Sequence, residues 1–477
     1  MTPGPDFRLP SELAWALLIV LSVLWVSLGR YWGRRAVELD GFMLAGRRVG
    51  MALGAGTAVA TWITSNTILL APQFALEFGV WGMLAYSTAS LGLLGFAPLA
   101  ARIRRLMPDG HTAAEFMYRR YGESVWIAFM IISMGYALAW LVSMVMAGGL
   151  LLEALSGIDY LVGMSVIVLV CTLYTLAGGL YAVIGTDFAQ SLIVLIGLGL
   201  LAFSMGSQLE VEAVHAKIQL ERPMLLQLFF PAALIAIFNN LMFGLGEVFH
   251  SNVWWSRALA MRPGMGTRAY ALAALLWLPV PVLAGALGFA AVGMELPISR
   301  PDMVGPQVAA ALLGGVGAVA VFIIVFASIA SSVDSLLAAS SDLVTKEVFH
   351  RVLRPDATST QIRAAAPRVI ITTAFLAWAI CLPKLGSIAS VLFFSGPLVA
   401  STIWPVLAGL YWRRAHPRAA LLAMLLGSTL GLWTYFAVGW FAASLASASI
   451  SALVTSLGAL FSDERFDFDQ LSGGVTP

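Results

Sequence analysis

Residues 327 to 342 read ASIASSVDSLLAASSD. Ser328, Ser331, Ser332 and Ser335 recur at the i, i+3, i+4, i+7 spacing that stacks side chains on one face of a helix, inside the apolar stretch 305–343. A single serine in such a helix bonds back to its own preceding turn and is structural. Four on one face, with Asp334 to the side of it, ask for more. An unpaired aspartate at a bilayer centre costs roughly 2.5–3.5 kcal/mol on insertion scales, so it needs a partner or a cation. Hard cations such as sodium take their ligands from hydroxyls, carbonyls and carboxylates. The run reads as part of a cation site on a buried helix.

The surrounding chain supplies the apolar setting. Of 477 residues, 60% are hydrophobic and 11% charged, more apolar surface than a soluble domain can hide, which implies an all-α protein crossing the lipid bilayer many times. Apolar segments lie near 12–29, 50–75, 79–101, 122–152, 158–178, 187–206, 225–246, 268–292, 305–343, 366–384, 388–412, 418–438 and 440–461, so about 13 transmembrane helices are expected. The first segment has an acidic residue before it and arginines after it, the reverse of a signal peptide, and reads as a retained span. With the N-terminus outside, 22 of the 27 basic residues, Arg35 and Arg257 among them, fall on the inner side, while Arg8 is one of five outside. That bias predicts N-out and C-in topology in a plasma (inner) membrane and accounts for the net charge of +2 without nucleic acid. Cys171 and Cys381 each lie in an apolar segment and imply no disulfide framework or metal cluster. The tail 462–477 is acidic and expected to be disordered, and these residues resemble no signalling output domain.

Three other segments interrupt the apolar pattern. In GAGTAVATWITSNTILL (54–70), small residues taken alone favour close helix packing over the other reading, a discontinuous helix whose freed carbonyls coordinate a cation. In YTLAGGLYAVIGTDFAQ (174–190), Asp187 falls at an expected helix start, where capping would account for it. In FGLGEVFHSNVWWSRALAMRPG (243–264), Trp254 and Trp255 ahead of Arg257 read as an interfacial belt, and Glu247 and His250 suit either that boundary or a substrate gate. No nucleophile–base pair or metal-ligand cluster argues for an enzyme.

Residues Tyr174 to Gln190 carry the pattern Y-T-x-x-G-G-x-x-A-V-x-x-T-D-x-x-Q, and Ser328, Ser331 and Ser332 carry A/S-x-x-S-S/T, with Glu347 closing that segment. In these the chain resembles the sodium/solute symporter family. TWITSNTILL (61–70), FGVWG (78–82), MPDGHTAAEFMYRRYG (107–122), VFHSNVWWSRALA (248–260) and SGPLVASTIWPV (395–406) are most similar to its urea-active subgroup. Ser251 and Asn252 depart from that subgroup, which has an acid and an amide there.

The resemblance implies two inverted five-helix repeats of the sodium-coupled amino-acid symporter type. They would span 50–206 and 225–412, with an extra helix and loop in 1–49, an outer loop at 207–224 and two more helices in 413–461. It implies no cofactor, a small neutral or zwitterionic solute, urea-like at first guess, and sodium as the coupling ion. The principal sodium site would use the carbonyls of Ala60, Ile63 and Ser328 and the hydroxyls of Ser331 and Ser332. Some members hold a second sodium, here at Asp187, Asp334 and Ser335, where two facing carboxylates could instead share a proton. By position, Trp62, Asn66, Thr67, Glu247, and Phe394 or Ser395 would line the solute cavity. Proton coupling, or a sensor built on a transporter fold, are the alternatives.

Overall fold

The computed structural model describes residues 9–34, 36, 38–176, 178–229, 231–298 and 300–472. Arg8 and Arg35 of the charge pattern, Ala177 of the motif and the last five tail residues lie outside the described residues.

Among the described residues the chain is helical apart from one isolated bridge, Val49 to Met261. In chain order the helices are α1 (Ser11–Gly33), α2 (Leu39–Leu44), α3 (Met51–Trp62), α4 (Ser65–Ser87), α5 (Ser90–Leu106), α6 (Ala113–Tyr121), α7 (Glu123–Ser156), α8 (Tyr160–Thr175), α9 (Gly179–Gln208) and α10 (Val211–Glu221). There follow α11 (Pro231–His250), α12 (Asn252–Ala260), α13 (Gly266–Trp277), α14 (Pro279–Gly293), α15 (Val304–Leu313), α16 (Gly315–Leu343), α17 (Ser359–Cys381), α18 (Ile388–Phe394), α19 (Gly396–Ala400), α20 (Ile403–Tyr411), α21 (Pro417–Ala437) and α22 (Trp440–Leu460).

Among the described residues eleven helices are long and apolar enough to cross a membrane, and α8 is a shorter apolar helix. The expected count of 13 and this one differ because helix breaks do not coincide with the ends of apolar stretches. The expected span 50–75 is cut within, at Ile63 and Thr64, whereas its second half joins the next span in one apolar run, Ser65–Leu106. Inside that run Gly79 takes φ 67°, and a Cβ there would sit 1.9 Å from the Leu225 carbonyl oxygen, so only glycine permits the bend. The long 305–343 stretch divides at Gly314 into α15 and α16, and α16 continues as a wide-turned helix over Val344–Leu353.

Large apolar side chains cover the outside of the bundle as well as filling its core. Ile19, Val20 and Val23 on α1, Leu200 and Phe203 on α9, and Trp433, Phe436 and Leu453 on α21 and α22 are exposed, forming surface suited to lipid. Thr57, Asn66, Asp187, Glu247, Arg257 and Asp334 are buried inside. Helices approach closely where side chains are small: a Cβ on Gly288 of α14 would lie 2.3 Å from the Pro72 oxygen of α4.

Three expectations need correction. Trp254, Trp255 and Arg257 are buried to within 1% of full and form no interfacial belt, because the chain turns inward again after α11. Asp187 is no cap: α9 begins at Gly179, two turns earlier. The tail is docked as far as Ser472, with Arg119 donating to the Leu471 carbonyl at 2.8 Å and the Phe466 amide donating to Arg413 at 2.8 Å. Leu471 is fully buried there, apolar contact that a reading based on tail charge overlooks.

Candidate functional site

A helix end leaves its last carbonyls without intrahelical donors, and α3 ends in the protein interior. Ile63 (φ −81°, ψ 83°) leaves the helix, and Thr64 restarts it as the N-cap of α4, its hydroxyl accepting from the Thr67 amide at 3.2 Å. Three carbonyls at the end of α3 are then met by hydroxyls. Ser331 donates to Ala60 at 2.9 Å, Ser332 to Thr61 at 3.2 Å, and Thr67 to Trp62 at 3.3 Å. The Ser331 hydroxyl also lies 3.2 Å from the Ser328 carbonyl. The structure thus brings Ala60, Ser328, Ser331 and Ser332 together. Ile63 occupies the break itself, and the Ser332 hydroxyl faces Thr61. Small residues in this stretch do pack, since a Cβ on Gly56 would lie 2.9 Å from the Phe188 ring, so close packing and a broken helix coexist in 54–70.

One turn further along α16 the chemistry changes. The Ser335 hydroxyl donates to the Ser331 carbonyl at 2.7 Å and accepts from Arg257 Nη2 at 2.7 Å. The same guanidinium reaches Thr57 Oγ1 at 3.0 Å, Thr61 Oγ1 at 2.7 Å and Asp187 Oδ2 at 3.1 Å, while Nη1 bonds the Val253 carbonyl at 3.1 Å. Thr57 donates in turn to Asp187 at 2.5 Å. Both members of the Arg257–Asp187 pair have fully buried side chains. Asp334 does not join this network: among the described residues neither of its carboxyl oxygens has a hydrogen-bond partner. The Tyr174 hydroxyl, on α8, donates to the Ala330 carbonyl.

Around the break stand aromatic rings from four elements. Trp62 stacks on Trp140 (centroids 6.0 Å apart), meets Trp254 edge-on at 5.3 Å and contacts Trp277 at 5.9 Å. Asn66 donates to Ser143 at 2.9 Å. The indole nitrogens of Trp62 and Trp277, the Ser65 hydroxyl and the Asn66 carbonyl oxygen are buried without protein partners among the described residues.

The helix α11 breaks before α12 at Ser251 (φ −70°, ψ 132°). Just before it, Glu247 accepts from Tyr136 at 2.5 Å and from Trp254 Nε1 at 2.8 Å, and His250 Nε2 lies 3.0 Å from the Ser133 hydroxyl. Asn252 ties the chain beyond, accepting from the Ala113 amide at 3.1 Å and donating to the Ala339 carbonyl at 3.2 Å. Phe394 is 36% exposed and packs on Tyr435 and Phe436, whereas its neighbour Phe393 faces inward, 5.0 Å from Phe243. Ser395 is buried, its hydroxyl returned to the Leu392 carbonyl at 2.7 Å.

Sequence reasoning passed over Arg257, Thr57, Thr61, Tyr136, Ser143, Trp140 and Trp277. A signal existed for two of them: Thr57 and Thr61 are four residues apart, on one face of α3. For Arg257 the clue was indirect, since a buried Asp187 needs a positive partner.

The profile described as "Sodium:solute symporter family" matches residues 42–427. Among curated relatives, the urea-proton symporter DUR3 of Oryza sativa subsp. japonica is 26% identical over 89% of this chain and 64% of its own length. The urea active transporter of Saccharomyces cerevisiae is 23% identical over 88% of this chain and 62% of its own. The sodium/pantothenate symporter of Escherichia coli is 28% identical over 82% of this chain and 83% of its own. The chain thus spans less than two thirds of the length of the two urea transporters. A solved structure of a Na+-coupled sialic acid symporter, substrate-bound and outward-open, superposes with a TM-score of 0.82, covering 95% of this chain and 98% of the other at 18% identity, a likeness of fold. The match to the family profile covers most of the helical core, including both broken helices and the serine face of α16: the chain belongs to the sodium:solute symporter family.

Proposed function

We propose that this chain is a sodium-coupled symporter that carries a small neutral polar solute, urea-like in its hydrogen-bonding groups, by alternating access. One observation carries the reading: the Ala60, Thr61 and Ser328 carbonyls and the Ser331 and Ser332 hydroxyls meet where α3 ends, with no basic side chain bonded to any of them among the described residues. These are hard oxygen donors of the kind sodium takes. They come from two separate elements, so an ion held by both favours the conformation in which α3 and α16 are juxtaposed and biases the protein towards it. A solute bound beside the break would then share that bias.

The solute class rests on the buried atoms without protein partners. Two indole N–H groups, from Trp62 and Trp277, can donate to a carbonyl, and the Asn66 and Ser65 oxygens can accept from N–H groups. A urea-like amide has both kinds of group. The aromatic walls suit a small planar molecule, and Glu247, already held by Tyr136 and Trp254, does not demand a cationic one. Rocking of repeats at 50–206 and 225–412 fits helix breaks at Ile63 and Ser251, each lying in the opening part of one repeat. The topology proposed is N-out and C-in, in a plasma (inner) membrane. Proton coupling is the second reading, favoured by the unpartnered carboxyl of Asp334 and by the name of the rice relative.

Purified protein in proteoliposomes tests this with radiolabelled urea, amino acids and sugars, under a sodium gradient or a proton gradient alone. The expected result is concentrative uptake of a small amide under the sodium gradient. Uptake driven only by the proton gradient would transfer the coupling to the second reading, and uptake indifferent to both would sink symport.

A further inference from the structure

We propose that Arg257 is a built-in cation that fills the second cation position of this fold, leaving no place there for a second coupling ion. The inference deepens the reading above, on which it depends only for the number of ions the native protein binds.

A second sodium would need free oxygen ligands at this position. Asp187 and Ser335 are the residues expected to hold it, and both are already bonded to one guanidinium, at 3.1 Å and 2.7 Å. Thr57 and Thr61, the neighbouring hydroxyls of α3, are bonded to the same group, at 3.0 Å and 2.7 Å. A second monovalent ion among these four oxygens would lie within a few ångströms of a like charge at a fully buried site, where repulsion is poorly screened. Arginine cannot relieve this by losing its proton. Asp334, the other expected ligand, bonds neither Arg257 nor Asp187.

The guanidinium also does the mechanical work of an ion. From α12, just beyond the Ser251 break, it joins α3, α9 and α16 through side-chain oxygens. A dissociable ion would make and release such a bridge in each cycle, whereas a covalently tethered one keeps it available throughout. The hydroxyl face of α16 is thereby divided. The turn carrying Ser331 and Ser332 faces carbonyls without a basic partner, and the turn carrying Ser335 faces a fixed positive charge.

Equilibrium binding of radioactive sodium to the purified full chain in detergent decides the matter. The native protein is expected to bind one ion with a Hill slope of one. Arg257→Gln should bind one more, weaker ion, lost again in Arg257→Gln/Asp187→Asn, a gain that a merely structural role for Arg257 does not produce. Two ions bound by the native chain would overturn the proposal without any variant, even if Arg257→Gln does not fold. A folded Arg257→Gln protein with no added ion would overturn it as well. A native chain that binds none, with one gained in Arg257→Gln, would refute the Ser331–Ser332 reading while supporting the role of Arg257.

Discussion

Two consecutive turns of α16 point serine hydroxyls at the same helix, α3, and reach opposite electrostatic arrangements. At Ser331 and Ser332 the partners are main-chain carbonyls freed by a break, neutral groups that any hydroxyl can satisfy. At Ser335 the partner is a guanidinium held by a carboxylate in a fully buried pair. The first arrangement costs little to disassemble, because each hydroxyl–carbonyl bond contributes about 1 kcal/mol net. Removing one partner of the second leaves an uncompensated buried charge, at about 3–5 kcal/mol. A site that must release its ligand each cycle therefore suits the first turn, and a permanent brace suits the second.

The sharpest way to break this contrast is to remove the brace. Arg257→Ala is expected to lower stability by about 3–5 kcal/mol, since Asp187 is left charged and buried. Thermal unfolding of the detergent-solubilised protein would show it, and a change below about 1 kcal/mol would mean that the pair is not the brace described. Arg257→Gln/Asp187→Asn, which removes both charges, should recover much of the loss.

Next in size is the turn proposed to hold sodium. Ser331→Ala/Ser332→Ala should raise the sodium concentration for half-maximal uptake by at least about tenfold, as hydrogen-bonding and coordinating groups to a charge are worth about 1.5–3 kcal/mol each. Stability should fall by only about 1–2 kcal/mol, for two carbonyls deprived of donors. An unchanged sodium activation curve in a folded double variant would remove the assignment.

Two of the buried acids, Asp187 and Asp334, should respond to neutralisation with opposite sign. Asp187→Asn loses the ion pair and should destabilise. Asp334→Asn loses an acid whose oxygens have no partner, so stability should hold or rise by about 1 kcal/mol. Parallel melting curves of the two variants test this, and equal losses would show that Asp334 carries interactions like those of Asp187.

The smallest effect lies on the exposed surface of the protein. Asp40 is held well below the usual carboxylate range, first by its hydrogen bond with His111 and then, against partial burial, by the bond and charge of Arg47. Because the folded value is depressed, the stabilisation is complete above the unfolded value of about 3.9 and is lost as pH falls through the folded value. The group is about half exposed, so the contribution is below about 1 kcal/mol. Asp40→Asn should flatten the acid limb of a stability–pH curve slightly and leave sodium activation unaltered.

Local features of the chain were legible in the sequence because they are local. The hydroxyl face of α16 follows from residue spacing alone, and the weakness of 54–70 as a helix follows from its glycines and threonines. The break nevertheless fell at Ile63, because Thr64 and Thr67 form a reciprocal cap there that restarts the helix. Placing Phe394 in the cavity missed by one residue: an apolar pair such as Phe393–Phe394 has no polar signal to say which ring turns inward.

By itself the sequence determined that this is a many-span membrane protein, where most of its apolar segments lie, and which of those stretches carry polar oxygen-bearing side chains. Hydropathy and helical periodicity act over a few turns and need no knowledge of neighbours. Only the tertiary structure decided which charges meet. Arg257 stands 70 residues from Asp187 and 200 from Thr57, separations at which no pattern of spacing survives. A charge counted towards the inner surface by the arginine bias ended inside the bundle, because the bias describes loops and the chain turns inward again at Ser251. Asp187 acquired a partner and Asp334 did not, a difference set by which helix each acid faces once the bundle has closed.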